Sequence, residues 1–199
     1  MNDNFVYWKN VWTRKSNSST QDLKVLDGFE SLNISEQEIS RNIATYLKLQ
    51  PADKVLEVGC GAGMISQFLE CDYYGVDYSL GMLDKHREIL GRVNLFHCEA
   101  NKLPFPDKFF DKAFSFSVFQ YLPTLEYAHD AIAEMMRVTK GNIYVGDIPM
   151  TSHSREQLLY RKEDFSEFEA VMPPQYTHPT SQRFDVLRLR QERADNAVS

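Results

Sequence analysis

The chain lacks most of what would mark a membrane protein, a disulfide-stapled protein or a nucleic-acid binder. No apolar run approaches the roughly 18 consecutive residues that a spanning helix needs. The opening Met1-Asn2-Asp3-Asn4 has neither the basic nor the apolar stretch of a secretory leader. Its three cysteines, Cys60, Cys71 and Cys98, are an odd number without metal-ligand spacing, so free thiols in a reducing compartment are expected, and no bound metal. Positive charge is also short: 22 Lys+Arg against 28 Asp+Glu leave a net charge of -6, a poor field for following a phosphate backbone. No internal repeat is present. These exclusions leave the expectation of a soluble, cytoplasmic protein acting on a small molecule, with neither membrane nor nucleic acid as partner.

What is present is globular in kind. With 199 residues, 43% hydrophobic and 25% charged, one domain spanning 1–199 is expected. Residues 1–33 mix the aromatics Phe5, Tyr7, Trp8 and Trp12 with a hydroxyl-rich run, 16–20, whose side chains compete for backbone hydrogen bonds. They read as a short helix or flap, a loop from Thr13 onward, and a second short segment. A helix follows over 34–49, with Ser35 and Glu38 spaced as a capping box and Pro51 as its stop. From there apolar strand-like and amphipathic helix-like stretches alternate: strands at 54–58, 73–76, 93–97, 112–119 and 143–147, and helices at 64–69, 80–90 and 125–138. That rhythm predicts an α/β fold, a mostly parallel sheet with helices on both faces. The tail differs. One or two short helices over 156–168 and strands at 169–172 and 183–190, separated by Pro173, Pro174 and Pro179, predict an antiparallel hairpin and bring the sheet to seven strands. The cofactor-binding core is expected over 34–148 and a substrate-side region over 149–199.

The densest signal is Val55-Leu56-Glu57-Val58-Gly59-Cys60-Gly61-Ala62-Gly63, a buried strand running into three alternating glycines. Glycines there open backbone angles closed to other residues and let a ligand approach the main chain. A dinucleotide fingerprint would need a glycine where Met64 stands, which argues against NAD or FAD. Asp77 closes the next strand, Tyr73-Tyr74-Gly75-Val76, where a carboxylate can accept both hydroxyls of a ribose. Two adjacent strand ends thus address one nucleoside.

With these motifs, residues 40–148 resemble the Rossmann-like class I S-adenosylmethionine-dependent methyltransferases, in their small-molecule, type 11-like branch. The resemblance implies S-adenosyl-L-methionine as cofactor and S-adenosyl-L-homocysteine as product. It implies that Gly59, Cys60, Gly61 and Gly63 line the methionine part, that Glu57 braces the loop, and that Asp77 holds the ribose. It places Tyr78 and Met82 against the adenine, with helix core the competing reading for Met82. His97-Cys98-Glu99-Ala100-Asn101-Lys102-Leu103-Pro104-Phe105 resembles the family's D-A-x-x-L-P-F, with Glu99 in place of Asp. By that pattern Glu99 accepts from the adenine amino group, Ala100 donates from its backbone to a ring nitrogen, and Asn101 lies beside them. Ser117 is implied near the methionine end, with Phe119, Gln120 and Tyr121 facing the transfer site.

Methyl transfer from a sulfonium is an in-line displacement, so alignment and exclusion of water can carry it without a dedicated catalytic residue. A hydroxyl acceptor would in addition need a base, for which Tyr121, His153 and Asp147 are the candidates. The flap aromatics Tyr7, Trp8 and Trp12 are expected to cover the acceptor, with packing on the sheet edge as the alternative. Arg183, Arg188 and Arg190 are read as a solvated edge strand. The loop after strand four carries no Asn/Asp-Pro-Pro-Tyr/Phe, as in the enzymes that methylate amino groups of nucleic acids or glutamine, and no Pro-Cys pair for cytosine C5 methylation, which argues against nucleic acid as substrate. The expected reaction is methylation of a small biosynthetic acceptor at oxygen: a hydroxyl, a phosphonate or a sugar-like group. Methylation at nitrogen and cofactor binding without turnover are the alternatives, and a monomer or weak homodimer is expected.

Overall fold

The central strands are apolar on both faces, and successive side chains feed two different cores. In the computed structural model, which describes residues 3–151, 154 and 156–190, Val55, Phe114, Phe116 and Tyr144 point into one core. Their neighbours Leu56, Val58, Ala113 and Val145 point into the other. A sheet buried in this way must be covered on both sides.

Seven strands form one sheet in the order β3-β2-β1-β4-β5-β7-β6: β1 (Lys54–Val58), β2 (Asp72–Asp77), β3 (Leu95–His97), β4 (Lys112–Phe116), β5 (Ile143–Pro149), β6 (Ala170–Met172) and β7 (Arg183–Arg188). The first five pair in parallel, while β7 runs antiparallel to both β5 and β6. The expected fold class is therefore observed. β7 lies inside the sheet rather than at its edge, and this corrects the reading of Arg183 as solvated: it is 7% exposed.

Helices α3 (Glu36–Leu47) and α4 (Leu80–Leu90) cover the first core, and α5 (Leu125–Val138) covers the second. α5 buries Ala128, Ala131, Ile132, Met135 and Val138, one stripe at helical spacing, and starts where Thr124 Oγ1 accepts from Tyr127 N. α3 starts at Ser35, whose side chain accepts from Glu38 N. Two expected helices shrink to single 3-10 turns, Ser66–Phe68 and Lys162–Phe165. Conversely, α1 (Asp3–Ser16) extends into the start of the polar run expected to form a loop, taking in 13–16 and leaving 17–22 as the loop. Thr13 Oγ1 donates to Lys9 O at 2.8 Å and Ser16 Oγ to Thr13 O at 3.0 Å, so these hydroxyls turn back onto their own helix instead of breaking it. α2 (Leu23–Leu26) is one turn. None of the described helices is long and apolar enough to cross a membrane.

Candidate functional site

The parallel strands deliver their C-terminal ends to one edge, and the main cavity opens there, about 890 Å³ with its mouth included. β1 is followed by Gly59, whose φ is +78° and where a Cβ would collide with Val118. The N–H groups of Gly59 and Cys60 both donate to Val76 O, at 2.8 and 3.0 Å, tying the loop to the end of β2. Asp77 completes the tie: Oδ2 accepts from Gly61 N at 3.0 Å and Oδ1 from Ser79 N at 2.8 Å. Each carboxylate oxygen keeps a lone pair for a ligand hydroxyl. Burial lifts the Asp77 carboxyl to about 6, against the pull of those two amides.

Behind the loop stands a second layer that sequence reasoning missed. His86 faces Gly61 O through Nδ1 at 3.2 Å and Ser66 Oγ through Nε2 at 2.9 Å, and desolvation lowers its pKa to about 4. A Cβ on Gly63 would meet that imidazole, so Gly63 packs against α4 and does not line the cavity, contrary to expectation. Glu57 lines it, 3% exposed, and accepts from Tyr73 Oη at 2.6 Å. Burial holds the Glu57 carboxyl well above the usual carboxylate range.

Glu99, Ala100, Tyr78, Met82, Cys60 and Ser117 also line the cavity, whereas Asn101 does not. Met82 is 2% exposed and belongs to the first core, so it is core and cavity wall at once. Tyr78 Oη is buried without a partner. Glu99 accepts from Tyr127 Oη at 2.8 Å, and Tyr127 is a wall residue that no motif announced.

The far end of the cavity is built differently. Tyr121 lines it, with Trp8 and Trp12 of α1 packed on its ring at centroid distances of 4.4 and 5.1 Å. Trp12 reaches the cavity; Trp8 donates Nε1 to Glu156 O at 2.8 Å, and Tyr7, 44% exposed, stands against Trp8 outside. Phe5 of α1 meets Tyr78 at 5.9 Å, so α1 covers the mouth from both sides. Phe119 is placed elsewhere: it packs on Tyr160 and Phe165 in the second core. Gln120 is buried too, donating to Ser117 Oγ at 2.9 Å and accepting from Arg183 Nη1 at 2.6 Å.

Asp147 also leaves the cavity wall. It sits at the register shift between β5 and β7 with φ +62°, and Ser117 at the end of β4 has φ +59°. Two non-glycine residues in the left-handed region at neighbouring strand ends store about 1–3 kcal/mol each. The kink turns the Asp147 carboxylate inward: Oδ2 pairs with Arg183 Nη1 at 2.9 Å, and Oδ1 accepts from Tyr176 Oη at 2.9 Å. Burial raises its pKa, and at 1% exposed it does not line the cavity; Oδ2 has the Arg183 charge beside it but no hydrogen bond among the described residues. Its expected role as base is not what this geometry supports. His153 lies outside the described residues.

Part of the chain is similar to a known family. Residues 56–145 match the family model described as a methyltransferase domain. The core of the chain is thus similar to a methyltransferase domain. Over 124 residues the chain is 31% identical to the botryococcene C-methyltransferase of Botryococcus braunii, and over 108 residues 31% identical to squalene methyltransferase 1 of the same organism. These stretches are 57% and 49% of this chain but 32% and 28% of those proteins, so the chain spans about a third of the relatives it matches. Among solved structures, the Synechocystis magnesium protoporphyrin IX methyltransferase with bound S-adenosylmethionine superposes with a TM-score of 0.65, at 15% identity, covering 94% of this chain and 97% of that one. The Haemonchus contortus phosphoethanolamine N-methyltransferase 1 gives 0.67 at 15% identity, over 98% of this chain and 51% of that one. At such identities the likeness is one of fold. The covering helix, α1, and the acidic turn after α2 lie outside the matched residues.

Proposed function

We propose that the chain transfers a methyl group from S-adenosylmethionine to an oxygen atom of a small-molecule acceptor. The observation that carries this reading is the junction of β1 and β2, where Asp77 ties Gly61 to Ser79 and still offers lone pairs to the cavity. In this reading Asp77 holds the ribose hydroxyls, and Tyr78 and Met82 flank the adenine, with Glu99 and Ala100 at its edge. Gly59, Cys60 and Gly61 run along the methionine part. The bound cofactor supplies a methyl group on a sulfonium; everything else is positioning by the chain. Tyr121, gripped by Trp8 and Trp12, orients the acceptor oxygen together with Ser117, and α1 keeps water out.

No histidine lines the cavity among the described residues, and burial pushes the Tyr121 phenol above its usual range. Both features fit an acceptor oxygen that needs little help in losing its proton, as a phosphonate or carboxylate would. We read the chain as one functional unit, a monomer or weak homodimer working inside the cell on a soluble metabolite.

Transfer of labelled methyl from S-adenosylmethionine to a panel of small acids, alcohols and amines tests the proposal, with carbon-13 spectra of the product assigning the methyl to oxygen. A methyl carbon on nitrogen would replace the acceptor class. Tight binding of S-adenosylhomocysteine with no turnover on any acceptor would favour a cofactor-binding partner protein instead.

A further inference from the structure

The N-terminal segment places a carboxylate where the glycine loop would otherwise offer its amides. α2 is capped by Asp22 at its start, anchored by the buried Leu23 and Leu26, and closed by Asp27. Lys15 of α1 fixes that turn from outside, donating to Val25 O at 2.7 Å. Asp27 reaches across to the loop: Oδ1 accepts from Ala62 N at 2.7 Å and Oδ2 from Met64 N at 2.8 Å. The approach is so close that a Cβ on Gly61 would collide with Oδ1.

Amides gathered by glycines in the left-handed region form a nest that binds anions such as phosphate. Here the nest is filled by the protein's own anion, which closes it to a phosphate-bearing nucleotide. Asp27 nevertheless remains part of the cavity wall, together with Glu57, Asp77 and Glu99, and no lysine or arginine lines that wall among the described residues. Burial lifts its carboxyl to about 7, with Asp77 adding to the rise, as befits a buried negative group that lacks a counter-charge. A cationic group on a ligand in the cavity would supply the counter-charge that the described wall lacks.

We infer that Asp27 selects the amino-acid end of the cofactor by accepting a charge-assisted hydrogen bond from its α-ammonium group. The inference rests on the proposed S-adenosylmethionine site and adds a positioning residue from outside the matched domain. A ligand built on adenosine is admitted when it ends in an ammonium and refused when it ends in a phosphate.

Calorimetric titration of the wild type and of Asp27→Asn with three ligands tests it: S-adenosylhomocysteine, decarboxylated S-adenosylmethionine, which keeps the ammonium and loses the carboxylate, and 5′-methylthioadenosine, which has neither. The expected result is a loss of about 10- to 100-fold for the two ammonium-bearing ligands. 5′-Methylthioadenosine should bind both proteins alike. An equal loss on all three would mean that Asp27 merely shapes the loop, and no loss on the first two would remove it from the site; either result overturns the inference. Failure of the wild type to bind S-adenosylhomocysteine would overturn the cofactor reading itself, and this inference with it.

Discussion

The two ends of the cavity are both polar, yet they use their polar groups in opposite ways. At the glycine loop, the carboxylates of Asp27 and Asp77 are each held by two backbone amides and keep acceptor capacity facing the cavity. At the far end, Gln120, Asp147, Arg183 and Tyr176 are linked to one another behind the wall, and Tyr121 and Ser117 line the cavity. One end is built to bind by charge, the other to hold a shape. The difference teaches where recognition is anchored and where chemistry is left to alignment.

Breaking the shape-holding end should have the largest effect. Arg183→Leu leaves Asp147 buried without its counter-charge, at a cost of about 3–5 kcal/mol. In a chain of this size that lowers the melting temperature by on the order of 10 °C. If the ends are independent, S-adenosylhomocysteine should bind the variant within about threefold of wild type. A large loss of affinity would show that they are coupled.

Breaking the binding end comes next. Asp77→Ala removes both acceptors proposed for the ribose hydroxyls, and calorimetry should show affinity for S-adenosylhomocysteine falling by about 100-fold. Unchanged affinity would move the nucleoside off β2.

A pH series sharpens the contrast with a smaller effect. Burial raises Asp27 to about 7, Asp77 to about 6 and Asp185 to about 7. A carboxyl whose folded pKa lies above its unfolded value stabilises the fold fully at low pH and loses that contribution as pH rises through the folded pKa. His86, lowered to about 4, opposes this: its contribution is complete above the unfolded value and falls away as pH drops toward 4. With three groups against one, the ligand-free protein should melt higher at pH 5.5 than at pH 7.5. Saturating S-adenosylmethionine should narrow the gap, because a cation favours the ionised carboxylates. A ligand-free melting point that rises steadily over that interval would contradict the picture of uncompensated acids.

The smallest effect is expected at Tyr121. Tyr121→Phe keeps the ring between Trp8 and Trp12, so turnover should drop less than about tenfold and cofactor affinity should stay unchanged. A collapse of turnover would make the hydroxyl a participant in proton transfer rather than an orienting group.

The binding end was legible in the sequence because its geometry is local. Glycines that need positive φ and an acid at a strand tip must occupy those positions for the loop to form, so Gly59, Gly61 and Asp77 could be read directly. The rest depends on long-range packing that no short pattern encodes. Asp27 reaches residues 35 and 37 positions away, and nothing in Leu26-Asp27-Gly28 distinguishes it from an ordinary turn. Phe119 was expected at the end of the fourth strand, which stops instead at Phe116, and a 3-10 turn sends it into the second core. Arg183 looked like an edge charge because alternation predicts a strand without saying which neighbours it will have. Likewise α1 outlasted its expected end because side-chain hydroxyls can satisfy a helix as well as break one.

The place of β7 between β5 and β6 has a consequence for how the chain is made. The glycine loop, Asp77 and the parallel strands that carry them are complete once β5 has been synthesised. Asp147, however, must wait for Arg183, which emerges from the ribosome 36 residues later. Until that residue is added the end of β5 has no counter-charge for its buried acid, so the sheet can reach its final packing there only after β7 has joined it.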